Sequence, residues 1–140
     1  MDWNLEVVLV PVADLDRAKR FYSEQVGFAV DHDSQASDEI RNVQLTPPGS
    51  GCSIVLSTLT LTPAGPITTP PGSAQGLQLV VGDIQAARDQ LARRGVEVSE
   101  IHHFDDGGWV PGRGGRWNSF VFFNDPDGNG WIVQERPAPS

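Results

Sequence analysis

The chain has 140 residues, eighteen acidic and ten basic, for a formal charge of −8. That balance argues against duplex nucleic acid, whose phosphates must be neutralised by Lys and Arg, and against anionic membrane surfaces. A single cysteine, Cys52, excludes an intramolecular disulfide and a cysteine-rich zinc site.

Along the chain, Met1-Asp2-Trp3-Asn4 carries neither a basic region nor an apolar stretch of signal length, so a cytoplasmic protein is expected. No window approaches the roughly eighteen apolar residues of a membrane span. The β-branched run Val7-Val8-Leu9-Val10-Pro11-Val12 suits a strand. Asp14 is placed to cap a helix, its carboxylate accepting an orphan N–H of the first turn. Leu15, Ala18, Phe21 and Tyr22 recur on one helical face, and Gly27 stands where a left-handed residue would end it. Strands are expected at about 28–33, 39–46 and 52–58, with Cys52 opening an apolar run as a small buried residue. The Thr-, Pro- and Gly-rich segment from Leu59 to Ala74 reads as a linker.

The second half repeats the first. Val12-Ala13-Asp14-Leu15-Asp16-Arg17-Ala18 resembles Val81-Gly82-Asp83-Ile84-Gln85-Ala86-Ala87, 69 residues later. Asp83 caps, Ile84, Ala87 and Leu91 form the apolar stripe, and Gly95 stops the helix. Strands are expected at about 96–102, 117–124 and 130–135. The spacing therefore predicts an α+β fold of two β-α-β-β-β modules: module 1 about 1–58, linker about 59–74, module 2 about 75–136. Neither half has enough core to stand alone, so the two are expected to form a single domain over 1–140.

These residues carry a family likeness. Val12 to Ala18, followed by Phe21-Tyr22 and Gly27-Phe28, resembles the opening signature of the vicinal-oxygen-chelate superfamily. Asp125-Pro126-Asp127-Gly128-Asn129, leading into Trp131-Ile132-Val133-Gln134-Glu135, resembles its closing signature. The resemblance implies two tandem βαβββ modules forming a curled mixed sheet with a central cleft and helices outside, and frequent homodimers. It also implies a choice of activities: glyoxalase, extradiol dioxygenase, fosfomycin modification or metal-free bleomycin sequestration.

In the metal-binding relatives four positions hold His, Glu or Gln. By alignment they fall here on Val7, Val55, Gly76 and Ile132, none of which can donate to a divalent ion. No metal and no cofactor are therefore expected. Strand alternation places Leu5 and Leu9 on the face of Val7, Ser53 and Ser57 beside Val55, Gln78 and Val80 beside Gly76, and Gln134 beside Ile132. An aliphatic cleft with a few uncharged polar groups results, suited to a small apolar or aromatic molecule.

The stretch Ile101 to Trp117 holds five glycines, two tryptophans, two arginines and two histidines. Read as a loop at the rim, it offers Trp109 and Trp117 for stacking on a planar ligand and Arg113 or Arg116 for an anion. His103 and Asp105 are the candidates for an acid/base pair. The first functional reading is a metal-free small-molecule binder of the bleomycin-resistance kind. The alternatives are a metal-independent isomerase, lyase or hydrolase acting on a small carbonyl compound, and a metal-dependent glyoxalase or dioxygenase with displaced ligands.

Overall fold

In the computed structural model, residues 1–139 are described. The β-branched run forms β1 (Val7–Pro11). Asp14 caps α1 (Leu15–Arg20), its Oδ1 accepting the Arg17 N–H at 3.0 Å, which also holds the Asp14 carboxyl below its ordinary pKa. The helix runs on as a π-helical stretch, Phe21–Val26, and ends at Gly27 in the left-handed region. Three strands follow: β2 (Ala29–Gln35), β3 (Arg41–Thr46) and β4 (Ser53–Ser57). Their sheet has the order β1-β4-β3-β2, with β1 parallel to β4 and the other pairs antiparallel. The expected linker is not featureless. It carries a short hairpin of β5 (Thr60–Thr62) and β6 (Gly65–Ile67).

The chain divides into two compact units, the first made of Met1–Ala74 together with Asp125–Asn129. Val10, Val43, Leu45 and Leu56 from its sheet and Ala18 and Tyr22 from its helix are fully buried. The Asp125–Asn129 turn adds a buried polar knot to this core. Asp125 Oδ2 accepts from the Tyr22 hydroxyl and from Asn129 Nδ2, both at 2.8 Å. Its Oδ1 accepts the backbone N–H groups of Asp127 and Asn129, both at 2.9 Å. Asn129 reaches further, donating to the Pro11 carbonyl at 2.8 Å and accepting from the Ala74 N–H at 3.0 Å. Burying polar groups is costly unless they are satisfied in this way, and in this turn Asp127 Oδ2 is the buried oxygen without a hydrogen-bond partner among the described residues.

The second unit holds Gln75–Asn124 and the chain from Gly130 onward. Here β7 (Leu77–Val81) leads to α2 (Ile84–Arg93), capped by Asp83, whose Oδ1 accepts the Ala86 N–H at 3.0 Å. The remaining strands are β8 (His102–Asp105), β9 (Gly108–Pro111), β10 (Phe120–Asn124) and β11 (Gly130–Glu135). The order is β7-β11-β10-β8-β9, with β7 parallel to β11. In each main sheet the first strand thus lies parallel to the last. Ile84, Leu91, Val96, Ile101, Val121, Phe123, Trp131 and Val133 supply the buried core.

Two further expectations change. The strand placed at 96–102 begins only at His102. Before it, Ser99 substitutes for a ladder, giving its N–H to the Phe122 carbonyl at 2.9 Å while its hydroxyl accepts the Phe122 N–H at 3.0 Å. And the Gly-rich stretch is largely a hairpin. Asp106 and Gly107, with φ of 42° and 91°, form its two-residue turn, both central residues left-handed as such a turn requires.

Candidate functional site

Strand alternation gives each sheet one packed face and one open face. In the second unit Phe120 and Phe122 alternate with buried Val121 and Phe123, while Ile132 and Gln134 alternate with buried Trp131 and Val133. The register sets Phe122 opposite Ile132 and Phe120 opposite Gln134 across β10 and β11. Across β7 and β11 it sets Gln78 opposite Ile132 and Val80 opposite Gln134. One open face therefore gathers Phe120, Phe122, Ile132, Gln134, Gln78 and Val80.

The hairpin adds Trp109 to that face. Its ring centroid lies 5.0 Å from Phe122, 5.1 Å from Phe120 and 5.4 Å from Phe104, all edge to face. Such pairs contribute about 0.5–1.5 kcal/mol each beyond area burial. Trp109 is nevertheless 48% exposed and Phe104 49% exposed. A contiguous aromatic surface left open to water is a mark of an interaction site. Sequence reasoning singled out Trp109 but missed Phe104, Phe120 and Phe122. The alternation of Phe120 and Phe122 with Val121 and Phe123 was the available signal for two of them.

Trp117 is held at the rim in a left-handed conformation, φ 61°, which costs a bulky residue of order 1–3 kcal/mol. Its carbonyl accepts from Gln134 Nε2 at 2.8 Å, and Gln134 Oε1 accepts from Gln78 Nε2 at 2.7 Å. The two glutamines thus form an amide chain beside the aromatic cluster. Arg113 is engaged elsewhere. Its Nη2 lies 2.5 Å from Glu135 Oε1, and the other Glu135 oxygen accepts the Ile84 N–H at 2.9 Å. His103 and Asp105 both lie on β8; His103 Nδ1 is 2.8 Å from the Gly112 carbonyl, so Nδ1 carries the proton, and Asp105 is exposed.

Beside the aromatic cluster is a groove of about 320 Å³, lined among others by Gln75, Gly76, Glu97, Phe122, Asn124 and Ile132. That volume is at the lower end of small-molecule sites. Gly76 has φ 79°, and a Cβ built on it would meet nothing within 4 Å, so the groove is open above it.

The first unit's open face is aliphatic on β1 and β4 and polar on β3, where Gln44 stands opposite Val55. Leu9 pairs with Val55 and Val7 with Ser53 across the parallel β1–β4 ladder. Val7 and Leu9 are 37% and 48% exposed. Ser53 and Ser57 are buried; Ser53 Oγ shares a 2.6 Å hydrogen bond with Thr46 Oγ1, and Ser57 Oγ donates to the Leu59 carbonyl at 2.7 Å. A pocket of only about 60 Å³ opens here, lined by Leu9, Ser57 and Leu59 among others.

Val7, Val55, Gly76 and Ile132, the positions expected from the family resemblance to correspond to metal ligands, fall two in each unit. Hydrocarbon and hydrogen cannot coordinate a divalent ion, so these residues do not fit one. Among the described residues no three His, Cys, Asp or Glu side chains gather where they could hold a metal ion.

Comparison with known proteins points one way. The model of the Glyoxalase/Bleomycin resistance protein/Dioxygenase superfamily matches residues 4–133. The antibiotic binding protein TnmS3 of Streptomyces sp. CB03234 is 32% identical with a TM-score of 0.72, covering 96% of this chain and 97% of its own. A glyoxalase/bleomycin resistance protein from the same organism is 33% identical with a TM-score of 0.69, covering 94% and 99%. The uncharacterized protein YetH of Bacillus subtilis (strain 168) is 27% identical over 136 residues, 94% of this chain and 98% of its own.

Proposed function

Because the chain belongs to the glyoxalase/bleomycin resistance/dioxygenase superfamily, we propose that it binds a small, partly aromatic molecule without a metal, in the manner of an antibiotic-sequestering protein. The observation that carries this reading is the open aromatic face of Trp109, Phe120 and Phe122 beside Ile132. Exposed rings tend to be covered by something in the working protein, and a planar ligand covers them best. The similarity to an antibiotic binding protein supports the same conclusion. So does the replacement of chelating side chains by Val7, Val55, Gly76 and Ile132.

The groove beside Phe122 and the amides of Gln78 and Gln134 supply what orients such a molecule, apolar walls with a few directed polar groups. In the second unit Trp109 and Trp117 offer ring faces; in the first, taken by itself, Val7, Leu9, Val55 and Ser57 offer hydrocarbon and hydroxyl contacts. The protein acts as a cytoplasmic homodimer, as the family likeness suggests; sedimentation velocity checks the assembly.

Titrating the protein with planar aromatic antibiotics, while following Trp fluorescence and heat, tests the function. Saturable binding that survives a chelator is expected. A panel with no binder, or binding that disappears on chelation and returns with one equivalent of metal, overturns it.

A further inference from the structure

The groove beside Phe122 has a chemical asymmetry. Its floor is apolar, from Phe122 and Ile132, and its polar lining includes the carboxamides of Gln75 and Asn124. Only one lining side chain is ionisable, Glu97, and no Arg, Lys or His lines the groove. Glu97 is exposed and makes no ion pair among the described residues. Two other acids of the second unit are engaged: Glu100 is bridged by Arg88 at 2.8 Å, and Glu135 by Arg113 at 2.5 Å. An unneutralised carboxylate at a groove with an aromatic wall is complementary to one kind of group. A positive charge is attracted by the carboxylate and, over a ring face, by the ring quadrupole as well.

We propose that the groove of the second unit selects planar aromatic ligands that carry a positive charge, and that Glu97 makes that selection. This rests on the aromatic-binding reading above and names the ligand class it left open. The carboxylate meets the ligand's ammonium or protonated ring nitrogen, while Phe122 and Ile132 carry its apolar body. Gly76 keeps the space above open, since any Cβ there would both narrow it and strain a left-handed backbone. The protein's charge of −8 adds long-range attraction of the same sign.

Because Glu97 is open to water, its contribution is that of an exposed pair, about three- to fivefold in affinity at low salt. It also fades as ionic strength shortens the Debye length to about 8 Å at 0.15 M. The test compares two tricyclic probes, cationic proflavine and neutral acridone, on the wild-type chain and on Glu97→Gln. Wild type is expected to prefer proflavine, and Glu97→Gln to lose about three- to fivefold for proflavine at low salt while acridone stays unchanged. That difference should shrink as salt is raised. Equal losses for both probes, or no loss for proflavine, overturn the assignment to Glu97 while leaving aromatic binding intact. If neither probe nor any member of the antibiotic panel binds wild type, both readings fall. Because Glu97 has no partner to lose, the variant should keep the wild-type melting temperature, which separates selectivity from misfolding.

Discussion

The two sheets share a topology and differ in what they leave uncovered. Each joins its first and last strands in parallel after a helix capped by Asp, Asp14 in one and Asp83 in the other. Yet the first opens a face with no aromatic ring on β1, β4 and β3, aliphatic at Val7, Leu9 and Val55 and polar at Gln44, with a pocket of about 60 Å³. The second opens an aromatic one of Phe104, Trp109, Phe120 and Phe122, with a groove of about 320 Å³. Repetition fixes the frame, because caps, helix stripes and packed faces answer only to the core. The open faces answer to no core and are free to diverge, and there the chemistry of the two units separates.

The sharpest break in symmetry is the Asp125–Asn129 turn, which lies between two strands of the second unit but belongs to the first. Asp125→Ala strands a fully buried Tyr22 hydroxyl, the Asn129 amide and two backbone N–H groups at once. A loss of about 3–5 kcal/mol in urea unfolding is expected. Tyr22→Phe, which removes one donor from the same knot, should cost about 1–2 kcal/mol. A loss under 1 kcal/mol for Asp125→Ala would mean the knot is ornamental.

Adjacent residues on opposite faces of β10 sharpen the comparison next. Phe123 is 3% exposed and stacked on Trp131 with centroids 6.0 Å apart, so Phe123→Ala should cost about 3–4 kcal/mol in stability. Phe122→Ala, on the open face, should cost roughly half as much stability, because a partly exposed ring loses less on truncation. Equal stability losses for both would show that the open face is core.

These contrasts also measure what the sequence could tell. Asp14, Asp83 and Gly27 are local signals, each acting through a cap or a backbone conformation within a few residues, and the helices they bound follow from them. The hairpin was obscured because glycines at 107, 108, 112, 114 and 115 read as a loop, although Asp106-Gly107 between Phe104 and Trp109 is a two-residue turn signal. The strand start at 96 failed because the Ser99 side chain replaces backbone pairing, which no periodicity records. Period two placed Gln134 on the same face as Ile132, a position taken from the family resemblance, and the strand alternation agrees. Arg113 was legible as a cation but not as a partner of Glu135, because that contact spans 22 residues. Glu97 carries no motif at all, and only the groove gives it meaning.

On the binding side the two faces should respond unequally. Trp109→Ala removes the ring at the centre of the aromatic cluster and should weaken a planar aromatic ligand by about tenfold, near 1.4 kcal/mol, in a fluorescence-independent calorimetric titration. Leu9→Ala on the first unit's face deletes only partly exposed hydrocarbon and should leave that ligand's affinity within about twofold. If Leu9→Ala proves the more damaging, the ligand sits chiefly on the first unit's sheet.

The smallest effect belongs to surface charge on the first unit. Asp33 accepts from Arg41 Nε at 2.8 Å and Nη2 at 2.7 Å and from Lys19 Nζ at 2.9 Å, while Arg41 Nη1 also reaches Asp16 at 2.8 Å. The Arg41 and then the Lys19 hydrogen bonds hold the Asp33 carboxyl well below its ordinary pKa. A carboxylate depressed in the folded state contributes stability that is present above its unfolded pKa of about 3.9 and is lost as pH falls through the lower folded value. Asp33→Asn should therefore cost about 0.5–1 kcal/mol near neutrality, an exposed network discounted for solvent. The gap between variant and wild type should hold from pH 7 down to about pH 5 and close progressively below pH 4. It should narrow in high salt at neutral pH, unlike the Asp125 knot, whose partners are buried and screened far less. A gap that stays constant down to pH 2 would place its origin in packing around β2 and β3 and remove charge from the account.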